Sequence, residues 1–323
     1  MRKLRRHGPV ALALITVLSL SFLSASCSVF TGLFTRAIPI RHNGKPISAQ
    51  QPPMSATREQ LVDRINQTYS AINSFQATIT MTPSVGSVYK GQITEIAGVR
   101  AYILFRKPAD IRIQAQAPVV RTTVLDMVSN GTEFKLLLTS KNLFVEGLNS
   151  APATSKNKIE NLRPAAFLSS MLIAPPEPGV ETPIMTDLTD EDNALYALTF
   201  IRKLPDGDLK ASRMIWFDRL DLSIIRQIVF DDQGAIVSNT RYAKWTSYPS
   251  AGAGGPQVSF PAHIDIQRPV DQYGVVMDIE QMQMNKPLTD AQFVLTRPDG
   301  STLQQIGMPP QSDLHRDVKQ VPR

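Results

Sequence analysis

Only one of the 323 residues is a cysteine, Cys27, and its surroundings carry the most specific chemistry in the chain. Leu23, Ser24, Ala25 and Ser26 lead directly into it. A signal peptidase needs small side chains just before the bond it cuts, and the thiol that follows is a nucleophile able to accept a diacylglyceryl group. Upstream, Arg2, Lys3, Arg5 and Arg6 precede an apolar run from Val10 to Leu23 that is too short to span a bilayer comfortably. The arrangement reads as an export signal over residues 1–26, with Cys27 as the lipidated first residue of the mature chain. The competing readings are an ordinary signal peptide with a chance cysteine and an uncleaved anchor. Whatever the compartment, a lone cysteine rules out an intrachain disulfide.

Other reactive groups are sparse. Of four histidines, His7 falls in the signal, His42 in the segment after it, His263 at a strand start behind Pro261 and His315 in the tail. They show no metal-ligand spacing, and zinc needs three or four ligands. There is no Gly-x-Ser-x-Gly elbow and no phosphate-binding glycine loop. Asp187, Asp190, Glu191 and Asp192 cluster, but without the alternating ligands and central glycine of a calcium loop, so they read as a solvated loop. Trp216, Trp245 and Tyr242 lie at alternating strand positions and read as packing rather than a carbohydrate platform. The sequence therefore predicts no enzyme, no metal and no cofactor beyond the covalent acyl group on Cys27.

Net charge excludes a further class. The formal +6 comes from 34 basic and 28 acidic residues, and four of the basic ones precede Cys27. Without them 30 stand against 28, close to neutral, which gives no reason to expect nucleic acid as a partner.

Leu23-Ser24-Ala25-Ser26-Cys27 resembles the bacterial lipobox, with the leucine one position farther from the cysteine than usual. Ser28 follows where an inner-membrane lipoprotein of this kind carries Asp, which implies the periplasmic face of the outer membrane. Residues 27–55 show no sustained period and read as a flexible tether with a reach of roughly 30 Å.

Behind the tether, Thr57 and Gln60 form a capping box, and Leu61, Ile65, Tyr69 and Ile72 recur at helical spacing. The period then switches to two. Phe75, Ala77, Ile79 and Met81 alternate with polar residues, and the same alternation runs over Val99–Arg106 and Asp110–Ala117. An Asn130-Gly131 turn joins strands over Thr122–Ser129 and Phe134–Leu138. A second helix is expected from about Ile159 to Leu172, stopped by Pro175-Pro176. Further strands are expected over Leu195–Arg202, Leu209–Asp218, Ile224–Phe230, Ala235–Trp245, Phe260–Gln267 and Val275–Gln283. The fold class is mainly β (α+β): a curled antiparallel sheet or open half-barrel of about eleven strands, with helices covering the concave face. It occupies residues 56–310, and a polar tail of residues 311–323 follows.

From Leu61 to Phe293 the pattern of elements resembles the carrier and receptor family that sorts lipoproteins to the outer membrane. The resemblance is carried by Phe105-Arg106-Lys107-Pro108-Ala109-Asp110-Ile111-Arg112, Asn130-Gly131, Asn161-Leu162-Arg163, and Asn285 with Phe293. It implies an open, half-closed barrel lidded by helices that holds acyl chains. In the receptor, the loop after the strand matching Asp110–Ala117 carries an exposed apolar residue that passes lipoproteins to the membrane. The resemblance gives that role to Val119, within Ala117-Pro118-Val119-Val120; the other reading makes Val119 and Val120 turn-flanking core residues.

These expectations converge on a non-enzymatic lipoprotein that binds lipid, or the acyl (palmitate-type) chains of lipoproteins, for localisation or transport across the periplasm. Its partners would be those chains, a periplasmic lipoprotein carrier and the membrane reached through the anchor. Phe75, Ile79, Ile103, Phe105, Ile111, Ile113, Leu136 and Phe200 are the expected cavity lining. Arg106 and Arg112 either hydrogen-bond within the cavity, hold the helical lid or face solvent. The alternative function is an envelope interaction lipoprotein that uses the same β domain as a docking surface.

Overall fold

The computed structural model describes residues 41–42, 45–46, 52–151, 162–251 and 255–307. Cys27, the signal residues 1–26, Asn161 and the tail 311–323 lie outside the described residues. The chain divides into two units. In the first, Met1–Gln51 with Thr189–Asn193, the described elements are β1 (Arg41–His42) and β2 (Lys45–Pro46), a short antiparallel pair. The end of the expected tether belongs to the second unit. There Met54 and Arg219 exchange hydrogen bonds, backbone to backbone at 2.7 Å and guanidinium to carbonyl at 2.9 Å.

The second unit opens with helix α1 (Arg58–Ser70), capped as expected by the Thr57–Gln60 box and burying Leu61 and Ile65. Its strands form one 15-stranded sheet, curled and not closed. The first half contributes β3 (Ser74–Ser87), β4 (Gln92–Glu95), β5 (Val99–Arg106), β6 (Asp110–Gln116), β7 (Thr123–Ser129), β8 (Glu133–Leu138) and β9 (Leu143–Leu148). Helix α2 (Pro164–Met171) separates these from β10 (Glu181–Asp187), β11 (Leu195–Lys203), β12 (Leu209–Asp218) and β13 (Ile224–Phe230). The remainder are β14 (Ile236–Pro249), β15 (Gln257–Arg268), β16 (Tyr273–Met284) and β17 (Thr302–Ile306).

Strand order is β10-β11-β12-β13-β14-β15-β16-β3-β5-β6-β7-β8-β9-β17, with β4 on the far end of β3. Two meanders are thus sewn together where β16 pairs with β3, and only β17 runs parallel to its neighbour, β9. The expected eleven strands undercount this sheet. The exposed β4, the short β9 and β17 and the edge strand β10 carry too little alternation to stand out, and Pro183 in β10 suits an edge that must not recruit another strand.

Alternation and register together build the core. Ile113 pairs with Ile103 and Met127, Met127 with Leu136, and Leu136 with Val145, so one buried ladder crosses five strands on the concave face. Register shifts at Ala115/Gln116, Phe200/Ile201, Trp216/Phe217 and Val229/Phe230 bend the sheet around it. Helix α2 is shorter than expected. Pro164 occupies its first turn, and Arg163 before it is extended (φ −126°, ψ 116°), as a residue preceding proline prefers.

Candidate functional site

Under the concave face of the β16-β3-β5-β6-β7-β8 half lies an apolar cavity of about 240 Å³. Its walls are Met81 and Val85 of β3, Val99 of β5, Ala115 of β6, Leu125 and Met127 of β7, Leu138 of β8, and Tyr273 and Val275 of β16. Leu162 and Phe167, at and before α2, close it from the helical side. Exposed Ile96, Ala97 and Ser140 line its other end, so the cavity opens there.

Register places that mouth. β3 ends beside the start of β16 (Val85 opposite Tyr273), β5 starts beside Met81, β6 ends where β7 begins, and β8 ends beside Leu125. All these termini share one rim of the sheet. The same rim carries exposed Val88, Tyr89, Ile93 and Ile96 on the β3–β4 hairpin and the link to β5, and Val270 on the β15–β16 turn. It also carries Val119 and Val120, 90% and 69% exposed, on the β6–β7 turn, which excludes the reading of these two as core. Bonds between Ala117 and Thr122 and from the Arg121 N–H to Ala117 close that turn, with Arg121 left-handed (φ 51°). The β3–β4 hairpin depends on Gly86. Its φ is 106°, and a Cβ there would stand 2.2 Å from the Gln92 carbonyl oxygen.

The eight residues expected to line a cavity do not line this one. Phe75, Ile79, Ile103, Phe105, Ile111, Ile113, Leu136 and Phe200 are all 2% exposed or less and share one packed cluster with Leu61, Ile65 and Ile72. Phe75 rests against Phe105 and Phe260, with ring centroids 5.1 and 5.7 Å apart. The correction has a volumetric cause. Along β5 the inward side chains run Val99, Ala101, Ile103, Phe105, and along β6 Ile111, Ile113, Ala115, so bulk accumulates away from the rim. Large side chains fill space; the void remains where the inward residues are small or adaptable. That taper was present in the sequence and is the signal that would have found Val99 and Ala115.

Of the three readings open for Arg106 and Arg112, the cavity one fails. Phe105 and Ile111 point inward, so alternation sends both arginines to the opposite face. Arg112 grips Asp126 at 3.0 and 2.7 Å and donates to the Gln292 carbonyl at 3.0 Å. Arg106 bonds Asp110 and Asp290 and lies 5.0 Å from the Phe293 ring centroid. Together they hold the 3₁₀ turn Asp290–Phe293 against the convex face, where Val128, Phe144 and Leu295 form a second small core. Lys107 and Asn285 instead fasten the end of α1. The Lys107 ammonium donates to the Tyr69 carbonyl at 2.7 Å, and the Asn285 amide to the Ala71 carbonyl at 2.9 Å. The residues that carry the family resemblance therefore mostly brace the sheet and its helix; among the described ones, Leu162 alone lines the cavity.

The remaining candidates also find structural partners. His263 meets Asp278 across β15–β16 at 2.8 Å, the Trp245 indole donates to the Ile224 carbonyl, and Arg226 stacks 4.8 Å from Trp216. Asp187 pairs with Arg219, while Asp190 accepts the Asp192 and Asn193 N–H groups. Among the described residues no group of three or more His, Cys, Asp or Glu could hold a metal ion.

A half-open antiparallel sheet over an apolar hollow, covered by short helices, defines the architectural class. No protein-family model matches the chain, and no curated protein does. Among solved structures it is similar to a LolA superfamily protein from Nitrosomonas europaea, with 11% identity, 75% of this chain and 99% of the other covered, and a TM-score of 0.46. A DUF1329 family protein from Desulfovibrio piger is 14% identical over 72% of this chain and 94% of the other, at 0.43. A putative outer membrane lipoprotein-sorting protein domain from Vibrio parahaemolyticus is 10% identical over the same shares, also at 0.43.

Proposed function

We propose that this protein is a non-enzymatic lipid- or lipoprotein-handling component of the bacterial envelope, tethered through acylated Cys27 to the periplasmic face of the outer membrane. One observation carries the reading: an apolar cavity of about 240 Å³ opens at the rim where exposed Val88, Tyr89, Ile93, Ile96, Val119, Val120 and Val270 gather. A monomer exposes so much apolar surface beside an apolar hollow at a cost in solubility, unless an apolar partner meets it.

The volume limits the cargo. Pockets for small molecules commonly span about 300–1,000 Å³, so this one takes part of a single acyl chain, with the remainder against the rim. Each buried methylene contributes about 0.8 kcal/mol, so eight of them supply roughly 6 kcal/mol, enough for reversible holding. Val119 and Val120 then serve as the apolar tip presented to the membrane, with the β3–β4 hairpin beside them.

Mass spectrometry of the full chain purified without detergent tests this. An acyl lipid released by organic solvent is expected; a ligand-free protein that takes up no added fatty acid would overturn the reading. The β10–β14 wing favours a second reading, an interaction lipoprotein, because its inward Leu198, Phe200, Ile215 and Phe217 are all buried in the packed cluster. Crosslinking in cells that captures a protein complex, combined with an absence of lipid, would select it.

A further inference from the structure

We propose that Tyr273 is the hydrogen-bond donor for the carbonyl oxygen at the head of the acyl chain, a specificity residue at the mouth of the cavity. The inference rests on the acyl-binding reading and sharpens it, since it separates acyl groups from plain hydrocarbon.

Tyr273 opens β16, at the rim, opposite Val85 of β3 and Arg268 of β15. It shares the inward face with Val275 and Met277 and lines the cavity. Its side chain is 4% exposed, its oxygen faces the Arg163 backbone N–H, and among the described residues nothing accepts its proton. A buried hydroxyl whose proton has no acceptor is costly and uncommon in folded proteins, and a missing ligand atom is one of its standard explanations.

The other polar side chains of the lining are differently placed. Ser84 shares the face of its register partner Gly274, opposite to that of Tyr273, and Ser140 is exposed at the mouth. Tyr273 is thus the one buried polar side chain that the concave face offers to the cavity, among the described residues. Burial pushes its phenol up to about 12, so it stays protonated and able to donate.

The surroundings favour an oxygen acceptor. The Arg163 guanidinium, buried 4.7 Å from the Phe134 ring centroid, places positive charge within electrostatic reach of the hydroxyl. Arg268 and Asp271 nearby neutralise each other in a 2.5 Å pair. A carbonyl at this position leaves its hydrocarbon tail pointing away from the rim, toward Met81, Ala115 and Met127.

Displacement of the apolar fluorophore N-phenyl-1-naphthylamine from the full chain, wild type and Tyr273→Phe, tests the assignment with dodecanoic acid, methyl dodecanoate and dodecane. The substitution should weaken the acid and the ester by roughly three- to tenfold and leave dodecane unchanged. It should not lower the melting temperature, because among the described residues the ligand-free hydroxyl has no acceptor to lose. A loss confined to the acid identifies a free carboxylate as the ligand group; a loss for both identifies an ester carbonyl. Equal binding of all three compounds by both proteins, or a lowered melting temperature in the variant, overturns the role of Tyr273 while acyl binding stands. No displacement by any compound in the wild type overturns both.

Discussion

Tyr242 and Tyr273, one from each wing of the sheet, mark the difference between a wall and a site. Tyr242 of β14 is fully enclosed, and its hydroxyl donates to the Ser170 carbonyl of α2 at 2.7 Å and meets Gln227 at 3.4 Å. Burial raises its pKa far above the ordinary phenol value. Around it Met171, Phe260 and Trp245 leave a gap of only about 10 Å³. Tyr273 is equally buried, but among the described residues nothing accepts its proton, and it borders about 240 Å³ of apolar space. In the β10–β15 wing α2 is locked down by polar contacts; in the β3–β8 half it only roofs a hollow. The same sheet therefore packs as a core on one side and stays receptive on the other.

Truncation should expose that contrast most strongly. Phe200→Ala, in the filled wing beneath Arg213, should destabilise the protein by about 3–5 kcal/mol, because the surrounding side chains cannot collapse into the void. Met81→Ala, at the cavity wall, should cost only about 2 kcal/mol, since it enlarges a space that already exists. Urea denaturation of both variants checks this. Equal losses would mean that the two wings are packed alike.

Enlargement should reverse the order. Ala115→Leu has room to grow into the cavity and should leave stability unchanged within about 1 kcal/mol while abolishing uptake of an acyl probe. Ile264→Phe, beside Tyr242, meets a closed core and should cost about 1–3 kcal/mol. Thermal melts and fluorophore binding on the same samples separate the two effects. An Ala115→Leu variant that still takes up the probe would place the ligand elsewhere.

Much of this contrast could be read from residue order, and part could not. The capping box at Thr57, the period-two strands and the open antiparallel sheet follow from local pattern, which local physics determines. Exposure of Val119 and Val120 was one of two open readings, because a turn tip and a turn-flanking core position share the same sequence. The lining was misplaced because alternation tells which face a side chain occupies, not how far along the strand the face stops being full. Phe105 and Val99 are equally inward; only their volumes and the position of α1 and α2 distinguish core from cavity. The outward turn of Arg106 and Arg112 did follow from that alternation, yet their partners Asp290 and Gln292 lie some 180 residues away and leave no local trace.

A smaller effect tests the tyrosine comparison directly. Tyr242→Phe should destabilise the protein by about 1–2 kcal/mol, because it leaves the buried Ser170 carbonyl without its donor. The same deletion at Tyr273 is expected to cost nothing. If the two phenylalanine variants melt together, the hydroxyls are equivalent and the distinction between the wings fails.

The finest distinction is electrostatic and lies wholly in the filled wing. Glu181 of β10 accepts from Ser212 and from Arg213, which also donates to the Ala174 carbonyl just beyond α2 and stacks over Phe200. Burial opposes the charge on Glu181, but the hydrogen bonds from Ser212 and Arg213 and the charge of Arg213 outweigh it, so its pKa falls below the ordinary 4.5. A carboxylate lowered in the folded state adds stability that is complete above the unfolded-chain value. That stability is lost as pH falls through the lower folded value. The filled wing should therefore loosen first in acid, from about pH 4.5 downward. Glu181→Gln keeps an acceptor for Ser212 but removes the titration, so it should lower stability at neutral pH and flatten the acid limb. Hydrogen exchange at β10–β12, followed from pH 6 to pH 3, reads this locally. Loss of protection that begins instead at β5–β7 would locate the acid-sensitive contact in the cavity half and reverse the assignment of the two wings.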